Sequence, residues 1–205
     1  MPFKSFCYLI LIGFTLYSCS SSRHIEKKLL NENPPQNLST EEVASRLTKV
    51  GYAHGGDFEF KVMPISKAYI LAEINEISSI RGLTSDEKNS FLRHRNDQYL
   101  NNMSCLKLEV TSINSREEVS IDDWDIKVID SFGAQYPVEL NGQKIITFSE
   151  IFGGLYGVDR KWFSQTMGCS RVKINWSEGF QVTLTKLEKN NLDSIQSALH
   201  WGANK

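Results

Sequence analysis

Several stretches of this chain alternate apolar and polar residues with a period of two, and that alternation limits the fold more than any other feature. Phe58, Phe60 and Val62 alternate with Glu59 and Lys61. Leu106, Leu108 and Val110 alternate with Lys107 and Glu109, and Trp124, Ile126 and Val128 with Asp125 and Lys127. Val172, Ile174 and Trp176 alternate with Arg171, Lys173 and Asn175, and between Lys67 and Ile77 the residues Ala68, Ile70, Ala72 and Ile74 hold one parity. In extended chain successive side chains point to opposite faces, so each stretch reads as a strand with one buried and one wetted face.

Turn signals separate these runs. Gln135 to Leu140 is a short strand before Asn141-Gly142, the dipeptide favoured in two-residue hairpin turns, which leads into Lys144 to Phe148. Ser177-Glu178-Gly179 turns the 171–176 run into Phe180, Val182 and Leu184, predicting a second hairpin. Many short strands divided by such turns predict an antiparallel two-sheet β-sandwich, immunoglobulin-like in the loose sense of architecture, with a small β-barrel as the alternative.

The helical signals sit around these strands. Ser39 and Glu42 have capping-box spacing, and Leu38 and Val43 have hydrophobic-staple spacing. They open a helix with Val43, Leu47 and Val50 on one face and Gly51 as its stop. Thr84 and Glu87 open a polar helix to about Asn101, whose narrow stripe of Phe91, Leu92, Tyr99 and Leu100 suits a helix lying over an edge. Leu192, Ile195 and Leu199 are spaced for a brief terminal helix before Gly202.

Ahead of all this lies an apolar run. Lys4 is the only charge before Arg23, and Tyr8 to Tyr17 is apolar, the layout of a secretory leader. The run is shorter than the roughly 20 apolar residues a spanning helix needs. It ends in Leu16-Tyr17-Ser18-Cys19 followed by Ser20-Ser21-Ser22. Leu16, Ser18 and Cys19 resemble the lipobox of bacterial lipoproteins. The resemblance implies diacylglycerol on the Cys19 thiol, cleavage just before it and acylation of the new amine. Two or three chains anchor stably where one binds only marginally. Ser20 stands where enterobacterial lipoproteins kept at the inner membrane carry Asp, which implies the outer membrane. The chain then divides into a leader (1–18), a tether (19–38) in which Pro34-Pro35 ends any helix begun near Arg23, a β-sandwich domain (39–187) and a short C-terminal helix or tail (188–205).

With that leader, the four cysteines sort themselves. Cys7 leaves, Cys19 takes the lipid, and Cys105 and Cys169 remain as an even pair in an oxidising compartment, where a disulfide is expected. Both stand on the polar parity at what read as strand starts, so the bridge is expected to join strand ends at the rim. A closed loop of that length is worth roughly 4 kcal/mol in the chain-entropy model.

The chemistry-bearing residues are sparse. Lys and Arg total 23 against 24 Asp and Glu, a net charge of −1, so no nucleic-acid footprint is expected. His54-Gly55-Gly56-Asp57 places glycines after a histidine, but no Gly-x-Ser-x-Gly elbow accompanies it; it reads as a turn. Asp122-Asp123-x-Asp125 would place Lys127 where a calcium loop needs glycine, and reads as a charged strand start. His24, His54, His94 and His200 have no metal-ligand spacing. No catalytic residue, cofactor or metal is assigned. The segment from Phe148 to Phe163 interleaves Phe152, Tyr156, Trp162 and Phe163 with Gly153, Gly154 and Gly157. It reads either as a core loop folded over one end of the sandwich or as a ligand or partner loop, since aromatics bring area at low entropic cost. The expected function is a non-enzymatic, membrane-anchored interaction module of the bacterial envelope, its partners the membrane and another envelope protein. The alternative is a small-ligand or carbohydrate-binding lipoprotein using loop 148–163.

Overall fold

A computed structural model describes residues 24–31, 33–35, 37–53, 56–112, 119–153, 157–187 and 194–202. Strands β1 (Lys49–Ala53), β2 (Phe58–Pro64), β3 (Ser104–Ser112), β7 (Gly157–Ser170) and β6 (Glu139–Gly153) make one antiparallel sheet in that order. Strands β5 (Gln135–Pro137), β4 (Trp124–Asp130), β8 (Phe180–Leu187) and β9 (Ser194–Trp201) make the second. The sheets form a β-sandwich, and neither closes into a barrel among the described residues.

The period-two pattern explains the layering. Phe58, Phe60, Val62, Leu106, Leu108 and Val110 are buried on the inner face of the first sheet. Trp124, Ile126, Val128, Val182 and Leu184 are buried on the second. The edge of Trp124 meets Phe58 and Phe60 with ring centroids 5.3 and 4.7 Å apart. At one end of this core Phe180 stacks on Trp201 at 4.7 Å and meets Trp176 at 4.3 Å. Where β1 passes β9 only glycine fits: a Cβ on Gly51 would stand 2.6 Å from Leu199 Cδ2 and 2.7 Å from Ser197 Oγ.

The described residues include four α-helices: α1 (described over residues 24–30), α2 (Thr40–Leu47), α3 (Lys67–Arg81) and α4 (Ser85–Tyr99). Helices α2, α3 and α4 lie against the outer face of the first sheet, where Ala44, Tyr69 and Tyr99 approach Lys107, Gln165 and Met167. The caps form as the sequence predicts. Ser39 Oγ accepts from the Glu42 N–H at 3.1 Å, and Thr84 and Glu87 make a reciprocal capping box. No residue of α4 is buried, in keeping with its narrow apolar stripe.

Several expectations are corrected. The 67–77 run is helix α3, not a strand. Ala68 and Ala72 lie on one helical face and Ile70 and Ile74 on nearly the opposite one, and all four are buried. A helix covered on two sides imitates a strand's parity. The helix of Ser39 stops at Leu47, and Val50, read as its third apolar contact, is an exposed residue of β1. Residues 171–175 are not a strand. Ile174 and Trp176 are buried, but in the crossing from one sheet to the other, where the Ile174 N–H donates to Ser104 Oγ at 2.6 Å. The 180–187 strand therefore pairs with β4 and β9. Asn141-Gly142 makes no hairpin; β6 continues through it with a register shift between Asn141 and Ile145. Beyond residue 193 the chain is strand β9, not a helix: Ser197, Leu199 and Trp201 are buried in alternation with Gln196, Ala198 and His200. The segment assigned as tether is partly built into the domain, since α1 buries Leu29 and Leu30 in the core. Cys19 and the leader lie outside the described residues, as does His54.

Candidate functional site: a projecting hairpin and a lysine-lined cleft

The Phe148–Phe163 segment is not a loop over the end of the sandwich. It forms the outer halves of β6 and β7, the two longest strands. Strand β7 pairs with β3 only as far as Trp162, opposite Ser112. Beyond that point five pairs, from Ser149 opposite Lys161 to Gly153 opposite Gly157, join β6 and β7 alone among the described residues. At about 3.3 Å per residue this arm runs roughly 17 Å past its sheet. Glu150 stands opposite Arg160, and Phe152 opposite Val158. Trp162 and Phe163, at its base, are half-buried, and Tyr156 lies outside the described residues. Strand β6 is also the last strand of its sheet among the described residues, and an unpaired strand edge is the usual template for strand addition.

The second feature escaped the sequence reading. A cleft of about 400 Å³ opens at one end of the molecule, between the end of α1, the start of α3, the end of α4 and the 171–176 crossing. Leu30, Leu100, Met103 and Ile174 supply apolar wall, and Asn31, Asn96, Asn101 and Asn175 supply amides. Lys67 and Lys173 also line it, and no carboxylate among the described residues does. These residues are far apart in sequence and belong to no motif, so only the fold brings them together.

A third cluster lies on the outer face of the first sheet. Lys61, Glu109 and Gln165 face one another directly across β2, β3 and β7. Lys61 Nζ donates to Glu109 Oε1 at 2.7 Å, and Gln165 donates to the other carboxylate oxygen. Burial pushes the Glu109 carboxyl up, but the bonds from Lys61 and Gln165 outweigh it and hold the group below the ordinary carboxylate range. The same bond raises the Lys61 ammonium. Every partner in this row is satisfied, so it acts as a cross-strand brace.

Cys105 and Cys169 stand opposite each other on β3 and β7 and are bonded. The bridge keeps the predicted polar parity, but it joins adjacent strands of one sheet and is buried. Cys169 is the last residue but one of β7, where a strand start was expected. Asp125 is paired with Lys127 at 2.7 Å, as suits a charged strand start. His24, His94 and His200 are exposed. No group of three or more metal-ligating side chains occurs among the described residues. Among them, too, no helix is long and apolar enough to cross a membrane. No protein-family model, curated protein or solved structure matches this chain.

Proposed function

We propose that this protein is a lipid-anchored interaction module of the bacterial envelope, held to the membrane through Cys19 and docking another envelope protein along its β6–β7 arm. The observation that carries the docking is the arm itself. An isolated two-stranded hairpin is marginal in water, yet among the described residues this one extends five registered pairs beyond β3 and no strand pairs with the outer edge of β6. A partner strand added to that edge would satisfy its backbone groups and complete the sheet. The bonded Cys105–Cys169 pair joins β3 to β7 at the end of β7 away from the arm.

The anchor rests on the Leu16-to-Cys19 motif. The described part of α1 begins at residue 24, five positions after Cys19, a separation of at most about 18 Å. With α1 docked on the domain, the protein would ride close to the bilayer instead of swinging on a long leash. The test is a photo-crosslinking amino acid at position 150 in cells, with His94 on the exposed α4 as control position. The reading expects one discrete adduct from position 150, lost when residues 149–161 are replaced by a two-residue turn, and none from position 94. Adducts of equal yield from both positions, or none from position 150, would reject docking through the arm.

A further inference from the structure

We infer that the turn between β4 and β5 makes a second membrane contact, in which Phe132 enters an anionic lipid surface beside the lysines of α1 and the β6–β7 arm points away from the bilayer. This contact presupposes the Cys19 anchor proposed above. Phe132 is 85% exposed, the highest value for a large apolar side chain among the described residues. Scattered exposed apolar residues are ordinary, but this one sits on a closely bonded turn. Asp130 Oδ1 accepts from the Phe132 and Ala134 N–H groups, both at 2.9 Å, and Oδ2 accepts from the Tyr136 hydroxyl at 3.0 Å. The Asp130 N–H donates to the Ala134 carbonyl, and the Gly133 N–H donates to the Asp130 carbonyl. A ring presented on a backbone already fixed in this way loses little freedom on insertion into lipid.

Its place in the fold singles out the same surface. Asp130, Phe180 and Trp201 stand in one row across β4, β8 and β9, so the turn lies about 10 Å, two strand spacings, from the end of β9. There the Gly202 N–H donates to Glu26 of α1. The helix that follows Cys19 by five positions and the Phe132 turn therefore share one end of the sandwich. The arm leaves from the other. Trp124, at the start of β4, meets Phe58, which stands opposite Ser112, and Ser112 stands opposite Trp162 at the base of the arm. Asp130 is six residues further along β4, roughly 20 Å away. Charge agrees with this orientation. Lys27 and Lys28 are exposed on α1 and make no ion pair among the described residues. Acids at the same end are engaged: Glu26 by Lys49 and Gly202, Asp130 by its own turn, Glu139 by Arg171, and Glu178 by Asn175 and Ser131. Free lysines held near a bilayer are drawn to anionic headgroups.

The test places the full lipid-bearing chain in vesicles of phosphatidylglycerol and phosphatidylcholine. A polarity-sensitive fluorophore is attached at Ala134→Cys or, as control, on the arm at Glu150→Cys. Flotation with the vesicles reads the anchor alone; protein that does not float overturns the anchor and the second contact with it. In floated protein, phospholipid carrying a nitroxide should quench the label at 134 and spare the label at 150. Phe132→Ser should remove most of the quenching at 134. Lys27→Ser with Lys28→Ser should lower the ratio of docked to undocked protein about fivefold per lysine. All three side chains are exposed, so the melting temperature should not move and loss of contact is separated from loss of fold. Floated protein with no quenching at 134, with equal quenching at 134 and 150, or with quenching indifferent to Phe132→Ser or to loss of the lysines overturns the second contact and leaves the anchor standing.

Discussion

The indole N–H of Trp201, at the end of β9, donates to the backbone carbonyl of Leu47, the last residue of α2, at 2.7 Å. The last four carbonyls of a helix have no partner within it, and here a side chain from the far end of the chain supplies one inside the core. Trp124 is its counterpart in size and burial, but its indole N–H has no hydrogen-bond partner. The two tryptophans therefore predict different outcomes for the same change. Trp201→Phe leaves a buried carbonyl unsatisfied and should cost about 1–3 kcal/mol beyond the lost area. Trp124→Phe loses area but also removes an unpaired donor, and should cost less. Thermal melts of the two variants check this; an equal or reversed order would contradict the role given to the Trp201 bond.

The Lys61–Glu109–Gln165 row predicts a pH dependence. Glu109 has its pKa lowered in the folded state, so its contribution is present above the ordinary carboxylate range and is lost as pH falls through the lowered value. Lys61 has its pKa raised, so its contribution is complete below the ordinary lysine range and fades as pH rises through the raised value. The brace is thus intact across neutral pH and weakens at both extremes. Glu109→Gln should cost about 1–2 kcal/mol at neutral pH, a drop of a few degrees in a chain of this size. It should also flatten the acid limb of stability. Denaturant melts from about pH 3 to 7 would show a wild-type curve steeper than the variant's; parallel curves would mean that Glu109 is not a source of the acid sensitivity.

The disulfide predicts a redox-dependent stability. Cys105 and Cys169 are 64 positions apart, and closing such a loop removes unfolded-state freedom worth about 2–4 kcal/mol. The bridge is buried, so a mild reductant should act slowly on the folded protein and quickly once it opens. Cys105→Ser with Cys169→Ser should melt on the order of 5–10 °C lower. A reductant added to the wild type during refolding should reproduce that value, and the double variant should be indifferent to it. A wild type that melts alike with and without reductant would remove the bridge from the sources of stability.

Much of this architecture was legible where one sheet face is dry and the other wet. Phe58 to Val62, Leu106 to Val110 and Trp124 to Val128 all became strands because their inward side chains meet across the sandwich. The misreadings share a cause: burial on more than one side. Helix α3, covered on two faces, mimicked a strand through Ala68, Ile70, Ala72 and Ile74. Strand β9 was hidden because Ser197, one of its buried residues, is polar. Ile174 and Trp176 alternate with Lys173 and Asn175 because the chain is crossing between sheets, not because it is paired within one. The cleft was illegible for a different reason. Lys67, Asn96 and Lys173 are distant in sequence, and each alone is an ordinary surface residue. The aromatic segment 148–163 stands out in the sequence by its composition, but its strand geometry follows from the pairing of β6 with β7, which composition does not encode.

A last prediction concerns α1, on which the proposed short distance between domain and membrane depends. Glu26 is buried; its carboxylate accepts from Lys49 Nζ at 2.5 Å and from the Gly202 N–H at 2.9 Å. One side chain thus ties the start of the described chain to β1 and to the residue after β9. Glu26→Ala leaves the Gly202 N–H and the Lys49 ammonium without this acceptor, and should cost about 1–3 kcal/mol. Much of that loss is local, because the apolar contacts of Ile25, Leu29 and Leu30 must then hold the helix to the core. Limited proteolysis should show new cleavage near residues 31–38 in the variant before the sandwich itself is cut. Leu29→Ala should give the same early cleavage by removing the buried contact instead of the polar one. If neither variant is cut earlier than the wild type, α1 is held by something other than Glu26 and Leu29, and the short stand-off from the membrane loses its structural basis.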